Sequence, residues 1–338
     1  MVTASFWRGI MAALPSRQAT SLRRGTISGM KIKAVVSFLL LAVLVPAFGA
    51  DFTIKTIGEG VYAAIATDDG KAGSNAGFVI GSDSVLVVDT FQDAGVARDL
   101  LAEIRKLSNL PVRFVVNTHY HLDHTTGNQV FAEAGATIVA QRNVRAWLRT
   151  ENLKFFGPDP KPDKKAWVES LVLPNVVYTD AMDIYLGTRL VQVRAMLGHT
   201  GGDSVVIVPG ANAVFGGDLV WQKHLPNLID ATTSEWVKSL DKLLAEHASA
   251  TFVSGHGDVA SAGDVRDFRN YLATLREDVA KARKEGKPEE DVAPAVLPDL
   301  ENKYGTWGFF KAFSKRNIQQ TMAELAGNKK VPVPATQE

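Results

Sequence analysis

The sequence predicts an α/β protein arranged as a four-layer αβ/βα sandwich, with two sheets face to face and helices on both outer sides. Three observations point there. Short apolar runs rich in β-branched residues alternate with longer stretches at helical spacing, the pattern of strand and crossover helix. Several of those runs are apolar nearly throughout, as in strands covered on both faces. They also fall into two groups, 61–150 and 176–254, and two sheets that stack and carry helices outside bury every run.

In the first group, strands are expected over 61–66, 76–81, 84–89, 112–117 and 136–140, with helices over 94–107, 127–134 and 141–150. The second group reads as strands near 176–179, 183–186, 189–195, 203–208 and 212–216, a helix over 233–247 and a strand over 250–254. The Pro- and Lys-rich stretch 155–175 joins the groups and is expected to be irregular, its Phe155, Phe156 and Trp167 lining a cleft or packing against the sandwich. Residues 264–327 read as helical throughout, with Phe268, Tyr271, Leu272 and Leu275 at helical spacing. Core packing or a homodimer contact is expected of that stripe. The expected domains are an N-terminal extension and signal peptide (1–49), the sandwich (50–262), and a C-terminal helical extension with a polar tail (263–338).

Hydrophobic residues make up 46% of the 338, charged residues 22%, and the formal net charge is +1. That balance supplies no basic stripe for nucleic acid and no acidic tail. Lys31 and Lys33 precede the apolar run 34–45, and Ala47-Phe48-Gly49 offers small residues for cleavage before Ala50. This is an export-signal pattern, too short to span a bilayer comfortably. It predicts a periplasmic or secreted protein without stable membrane insertion after cleavage, and Met30 is an alternative start.

The densest chemistry lies in Thr118-His119-Tyr120-His121-Leu122-Asp123-His124, where four metal-binding side chains occur within six positions. Imidazole and carboxylate are the donors that Zn²⁺ and related ions prefer, and the chain has no cysteine to add thiolate. His119 and His121 would face opposite sides of a helix. They suit the end of a strand, and the apolar run 112–117 supplies one. Further along, His199, Asp218 and His256 each follow an apolar, strand-like run.

These motifs resemble those of the metallo-β-lactamase superfamily. The His-x-His-x-Asp-His pattern is present at 119–124, and Leu197-Gly198-His199-Thr200-Gly201-Gly202-Asp203-Ser204 is similar to its second histidine loop. Phe215-Gly216-Gly217-Asp218 resembles its bridging-aspartate turn, Ser254-Gly255-His256-Gly257 its last histidine loop, and Val85 to Thr90 its early strand ending in an aspartate. The resemblance covers about 58–258 and implies the family's four-layer sandwich. It implies two Zn²⁺ ions, with Fe or Mn suited to the same donors. His119, His121 and His199 would hold one ion, Asp123, His124 and His256 the other, and Asp218 would bridge. Asp123 and Asp89 are the candidate catalytic carboxylates, Asp89 by accepting the free N–H of a ligand histidine.

The implied reaction is attack by a metal-bridging hydroxide on the carbonyl of an ester, lactone, thioester or β-lactam in a small-molecule substrate. Asp218 stands where the cysteine-bearing lactamases carry their thiolate, which moves the expectation toward thioesterases of the glyoxalase II type and their lactonase and esterase relatives. A flavin-linked di-iron role is disfavoured, since that branch has a glutamate in place of His121. The short stretch between Asp218 and His256 leaves no room for a nuclease insert. The segment after Asp218 is expected to overhang the site, with Trp221 as an apolar wall and Lys223 or His224 receiving a substrate carboxylate. The alternatives are a β-lactamase proper and a periplasmic metal-binding accessory protein linked to a quinoprotein or sulfur-oxidation system.

Overall fold

The computed structural model describes residues 50–336, so the export pattern lies outside the described residues. A first sheet holds seven strands side by side in chain order: β1 (Phe52–Gly58), β2 (Val61–Ala66), β3 (Ala76–Ile80), β4 (Val85–Val88), β5 (Val112–Asn117), β6 (Thr137–Gln141) and β7 (Val176–Tyr178). Pairing is antiparallel from β1 to β4 and parallel from β4 to β7. The parallel steps need crossovers. They are supplied by α1 (Ala94–Leu107), by α2 (Leu122–Thr125) with α3 (Asn128–Glu133), and by α4 (Arg142–Trp147) with α5 (Pro162–Ser170).

The second sheet contains β8 (Ala181–Leu186), β9 (Arg189–Ala195), β10 (Ser204–Val208), β11 (Ala213–Trp221), β12 (Thr251–His256) and β13 (Val259–Ala260), in the order β13-β12-β11-β10-β9-β8. Its one parallel pair, β11 with β12, is bridged by α6 (Thr233–Glu246). Three helices follow: α7 (Ala262–Lys284), α8 (Glu289–Tyr304) and α9 (Phe310–Leu325).

Strand alternation sends each run into two apolar layers. In β4, Val85 and Val87 face α1 and α3 through Val96, Leu100 and Phe131, while Leu86 and Val88 face the other sheet. In β10, Val206 and Val208 meet that inter-sheet layer, and Val205 and Ile207 face outward onto Trp236, Phe268 and Ile318 of the helices. Both outer faces are thus covered and the four-layer αβ/βα sandwich is present. Each fully buried Val, Leu or Phe contributes about 1.5–3 kcal/mol over an exposed one. Phe268, Tyr271, Leu272 and Leu275 are all buried within this chain.

Several elements differ from expectation. β1 was not anticipated, because its alternating Thr and Lys residues give an edge strand little apolar signal. Residues 162–170 form α5 rather than irregular chain: Pro162 starts the helix, where its missing N–H costs nothing, and only Val168 is buried. Residues 176–178 pair with β6 in the first sheet, not with the second group. β11 runs on to Trp221, with register shifts at Gly217, so Asp218 sits on a strand rather than in a turn. The C-terminal helical stretch is interrupted at 285–288 and 305–309. Among the described residues, no helix is long and apolar enough to cross a membrane.

Candidate metal centre

All seven ligand candidates converge at one edge of the sandwich. His119 and His121 follow β5, Asp123 and His124 lie on α2, His199 is in the β9–β10 loop, Asp218 is on β11, and His256 ends β12. They form two groups, His119–His121–His199–Asp218 and Asp123–His124–His256, each with one donor atom per residue within 4.8 Å of the others.

Asp218 divides its carboxylate between them. Oδ2 lies 3.1 Å from His199 Nε2 and 3.8 Å from His119 Nε2. Oδ1 lies 3.1 Å from His124 Nε2 and 3.4 Å from His256 Nε2. Asp123 Oδ2 completes the second group, 3.3 Å from His256 Nε2 and 3.6 Å from His124 Nε2. Donors bound tetrahedrally at about 2.0–2.1 Å stand roughly 3.4 Å apart, and these separations bracket that value. His119 Nε2, His124 Nε2 and Asp218 Oδ1 are buried with no hydrogen-bond partner. Orphaned polar atoms of this kind, His119 Nε2 in the first group and His124 Nε2 with Asp218 Oδ1 in the second, fit divalent ions of the zinc type.

Two of the rings, His124 and His121, are fixed from behind by carboxylates. Asp89 lies just past β4 in a left-handed conformation (φ 57°). Its carboxylate accepts from Thr118 N at 2.8 Å, Thr118 Oγ1 at 2.7 Å and His124 Nδ1 at 2.8 Å. His121 is turned the other way: its Nε2 donates to Asp230 Oδ2 at 3.1 Å, so its Nδ1 faces His199 Nε2 at 3.0 Å. Asp230 also accepts from Tyr120 OH at 2.6 Å and Lys154 Nζ at 2.5 Å. The His199 loop is shaped by Asp203, which accepts from Thr200 N and Oγ1, and is tied to the first motif by Ser204 N donating to Thr118 O at 2.8 Å.

Electrostatics separate the two groups. Burial, reinforced by His124, holds His119 well below the usual imidazole range, and burial holds His199 down at about 3. Burial would also lower His124 and His256, but the carboxylates outweigh it: Asp218, Asp123 and Asp89 hold His124 well above its usual range, and Asp218 and Asp123 push His256 up to about 9. Burial alone would raise Asp218, but His256, His124, His199 and His119 hold it well below the carboxylate range.

A cavity of about 260 Å³ opens over both groups. His121, Asp123, His199, Asp218 and His256 form its floor, Leu122, Phe155, Trp221, Phe309 and Phe313 its apolar walls, and Gln92 and Asn227 add neutral amides. Trp221 stacks on His256 with ring centroids 4.1 Å apart and donates from Nε1 to the Asp218 backbone oxygen at 2.7 Å. Lys223 and His224 are not among the lining residues of this cavity. Lys223 is exposed, and His224 packs its ring 5.1 Å from Phe309 with Nδ1 2.8 Å from the Gln222 backbone oxygen. Of the aromatics in 155–175, Phe155 reaches this cavity, and Phe156 and Trp167 do not.

Sequence reasoning assigned no role to Asp230, Tyr120, Lys154, Phe309 or Phe313. Asp230 stands 109 positions from His121 with no motif around it, and the two phenylalanines lie in a helical region whose apolar residues read as ordinary packing. No local signal marks them.

This arrangement of two stacked sheets and a divided histidine–aspartate cluster has known counterparts, and the chain belongs to the metallo-β-lactamase superfamily, whose profile matches residues 69–256. A linear primary-alkylsulfatase of Pseudomonas sp. is 24% identical over 258 residues, covering 64% of this chain and 48% of the relative. A hydroxyacylglutathione hydrolase of Brucella anthropi is 28% identical over 144 residues, covering 42% of this chain and 46% of the relative. The chain therefore spans about half the length of these curated relatives. A solved metallo-β-lactamase from Pontibacter korlensis superposes with a TM-score of 0.55 at 22% identity, over 66% of this chain and 99% of that one, and shares the fold.

Proposed function

We propose that this chain is an exported binuclear metal-dependent hydrolase, with zinc as the preferred ion, acting on the carbonyl of an ester, thioester or lactone. The observation that carries the reading is Asp218, which turns one oxygen to each histidine group. His119, His121, His199 and Asp218 Oδ2 would hold one ion, and Asp123, His124, His256 and Asp218 Oδ1 the other. Bound there, such ions supply Lewis acidity for the carbonyl oxygen and bring water toward ionisation near neutral pH.

The chain's own residues do the rest. Asp89 and Asp230 hold the His124 and His121 rings in the orientation that leaves a lone pair facing inward. Asp123 is the least buried of the cluster's carboxylates and lines the cavity, placed to orient the attacking water and carry its proton to the leaving group. Leu122, Phe155, Trp221 and Phe309 exclude bulk water from the reacting carbonyl.

The cavity lining contains no lysine or arginine. Away from the ions on its floor the cavity offers a second anionic group, such as a β-lactam carboxylate, no cationic side chain, which weighs against substrates that carry one. The deciding experiment loads the purified chain with Zn²⁺, Mn²⁺ or Fe²⁺ and compares kcat/KM for nitrocefin, neutral lactones, aryl esters, S-lactoylglutathione and dodecyl sulfate. Neutral esters or lactones are expected to lead. Leadership by nitrocefin or dodecyl sulfate would replace this reading, and full metal occupancy without any turnover would favour the accessory role.

A further inference from the structure

Two cavities meet at the cluster. Beside the apolar one lies a second, of about 600 Å³, bordered by Thr67, Asp68, Asn75, Gln222 and His224. His256 and Phe309 belong to both linings. Phe309 therefore stands, with His256, on the boundary between the apolar cavity and the second one.

Its backbone is held in an uncommon state. Phe309 has φ 60° and ψ 7°, a left-handed conformation that bulky residues rarely adopt and that concentrates at functional positions. A short bridge fixes it there: Leu225 N donates to Gly308 O and Gly308 N to Lys223 O, each at 2.9 Å. A Cβ at 308 would collide with the His224 ring, so any larger residue there would force that ring to turn away. Despite this anchoring the Phe309 ring is 46% exposed. Phe155, on another wall of the apolar chamber, is 39% exposed and stands edge-on to His121 at 5.2 Å. Rings held for core packing alone would be buried, whereas these two leave faces open toward the cleft.

We infer that Phe155 and Phe309 are specificity-determining walls that grip an apolar acyl group, making the substrate class uncharged esters, thioesters or lactones of aliphatic or aromatic acids. This rests on the hydrolase reading above, with the carbonyl over the cluster. An acyl chain between the two rings loses water contact with each added methylene, and no lysine or arginine in the lining offsets the burial of a carboxylate. Phe309 would stand between that chain and the second cavity.

The test uses 2-alkanones from butanone to decanone, which carry a carbonyl but no leaving group, so binding to the metal-loaded full chain is read by tryptophan fluorescence without turnover. Affinity is expected to rise roughly threefold to fourfold per methylene, and ketones ending in a carboxylate to bind at least tenfold more weakly than neutral ones of equal length. Phe309→Gly, which keeps the left-handed backbone, and Phe155→Ala should each flatten the chain-length slope, while Tyr185→Ala, exposed on the far β8 edge, should leave it unchanged. A flat series in the parent chain, or an undiminished slope in both cavity variants, overturns the inference. A steep slope that both variants flatten, without hydrolysis of any ester, removes the hydrolase reading and leaves the two walls standing.

Discussion

Asp230 accepts a hydrogen bond from Nε2 of His121 at 3.1 Å, and that contact decides which nitrogen of the ring faces the cluster. Burial would raise the Asp230 carboxyl, but His121, Lys154 and Tyr120 hold it well below its usual range, so it acts as an acceptor throughout the neutral region. Asp230→Ala frees the ring to turn. Metal affinity at the His119–His121–His199 group should fall about 10–100-fold, measured by competition with a chromophoric chelator. Buried Tyr120 OH would lose its acceptor while keeping the bond from Lys154 Nζ at 2.9 Å, which should also lower stability by about 1–3 kcal/mol in urea. Unchanged metal affinity would remove Asp230 from the centre.

Metal uptake should release protons. Asp218 and Asp123 push His256 up to about 9 against the effect of burial, and His124 is held well above its usual range, so near pH 7 both rings carry a proton before a metal takes their place. Loading chelator-stripped protein at pH 7 should release at least about two protons per chain, one from each ring and more as bound water ionises, into a weakly buffered indicator solution. Because protons compete with the ion, apparent affinity should climb as pH rises toward 9. Loading without proton release would contradict the assignment of these two histidines.

Gly255→Ala should disturb the centre without unfolding the chain. Gly255 has no positive φ, yet a Cβ there would run into Asp218 Oδ1 and the backbone at Gly217 and Asp218. Accommodating it must shift the carboxylate that serves both groups together with the β11 backbone behind it. Bound metal, measured by atomic emission after dialysis, should drop while the circular dichroism spectrum is retained. Full metal content in the variant would show that Asp218 can move freely.

Glu324 of α9 closes the open start of α6. It accepts from Thr233 N at 2.9 Å, Ser234 N at 3.1 Å and Thr233 Oγ1 at 2.7 Å, and pairs with Arg276 at 2.6 Å. Burial would raise its carboxyl, but these contacts lower it below the usual range. Stability from this group is therefore present above the unfolded value near 4.5 and lost as pH falls through the lower folded value. Glu324→Ala should cost about 1–3 kcal/mol at pH 7 and flatten the loss of stability below pH 4.5, both read from urea titrations. Equal stability of variant and parent would show that water caps α6 as well.

Much of the architecture could be read locally because it is written locally. A run such as Val85-Leu86-Val87-Val88 is apolar on both faces and has one place to go, the middle of a covered sheet. The chain's own edges were harder to see. β1, β7 and α5 bury little, and elements with small apolar faces leave a weak periodic signal.

The seven histidines and aspartates of the cluster were legible for a related reason. Four lie within six positions, and each of the others follows an apolar run, so strands and the segments just past them carry the side chains to one edge. Sequence by itself determined the residue types available for chemistry, the family and the layer of the apolar central strands, though not that of β7. Only the tertiary structure decided which Asp218 oxygen faces which histidine group, that Asp230 sets the His121 ring, and that Phe309, just ahead of α9, walls the cavity. Those relationships join segments far apart in the chain. Each depends on where a side chain points after packing, and neither composition nor periodicity encodes that direction.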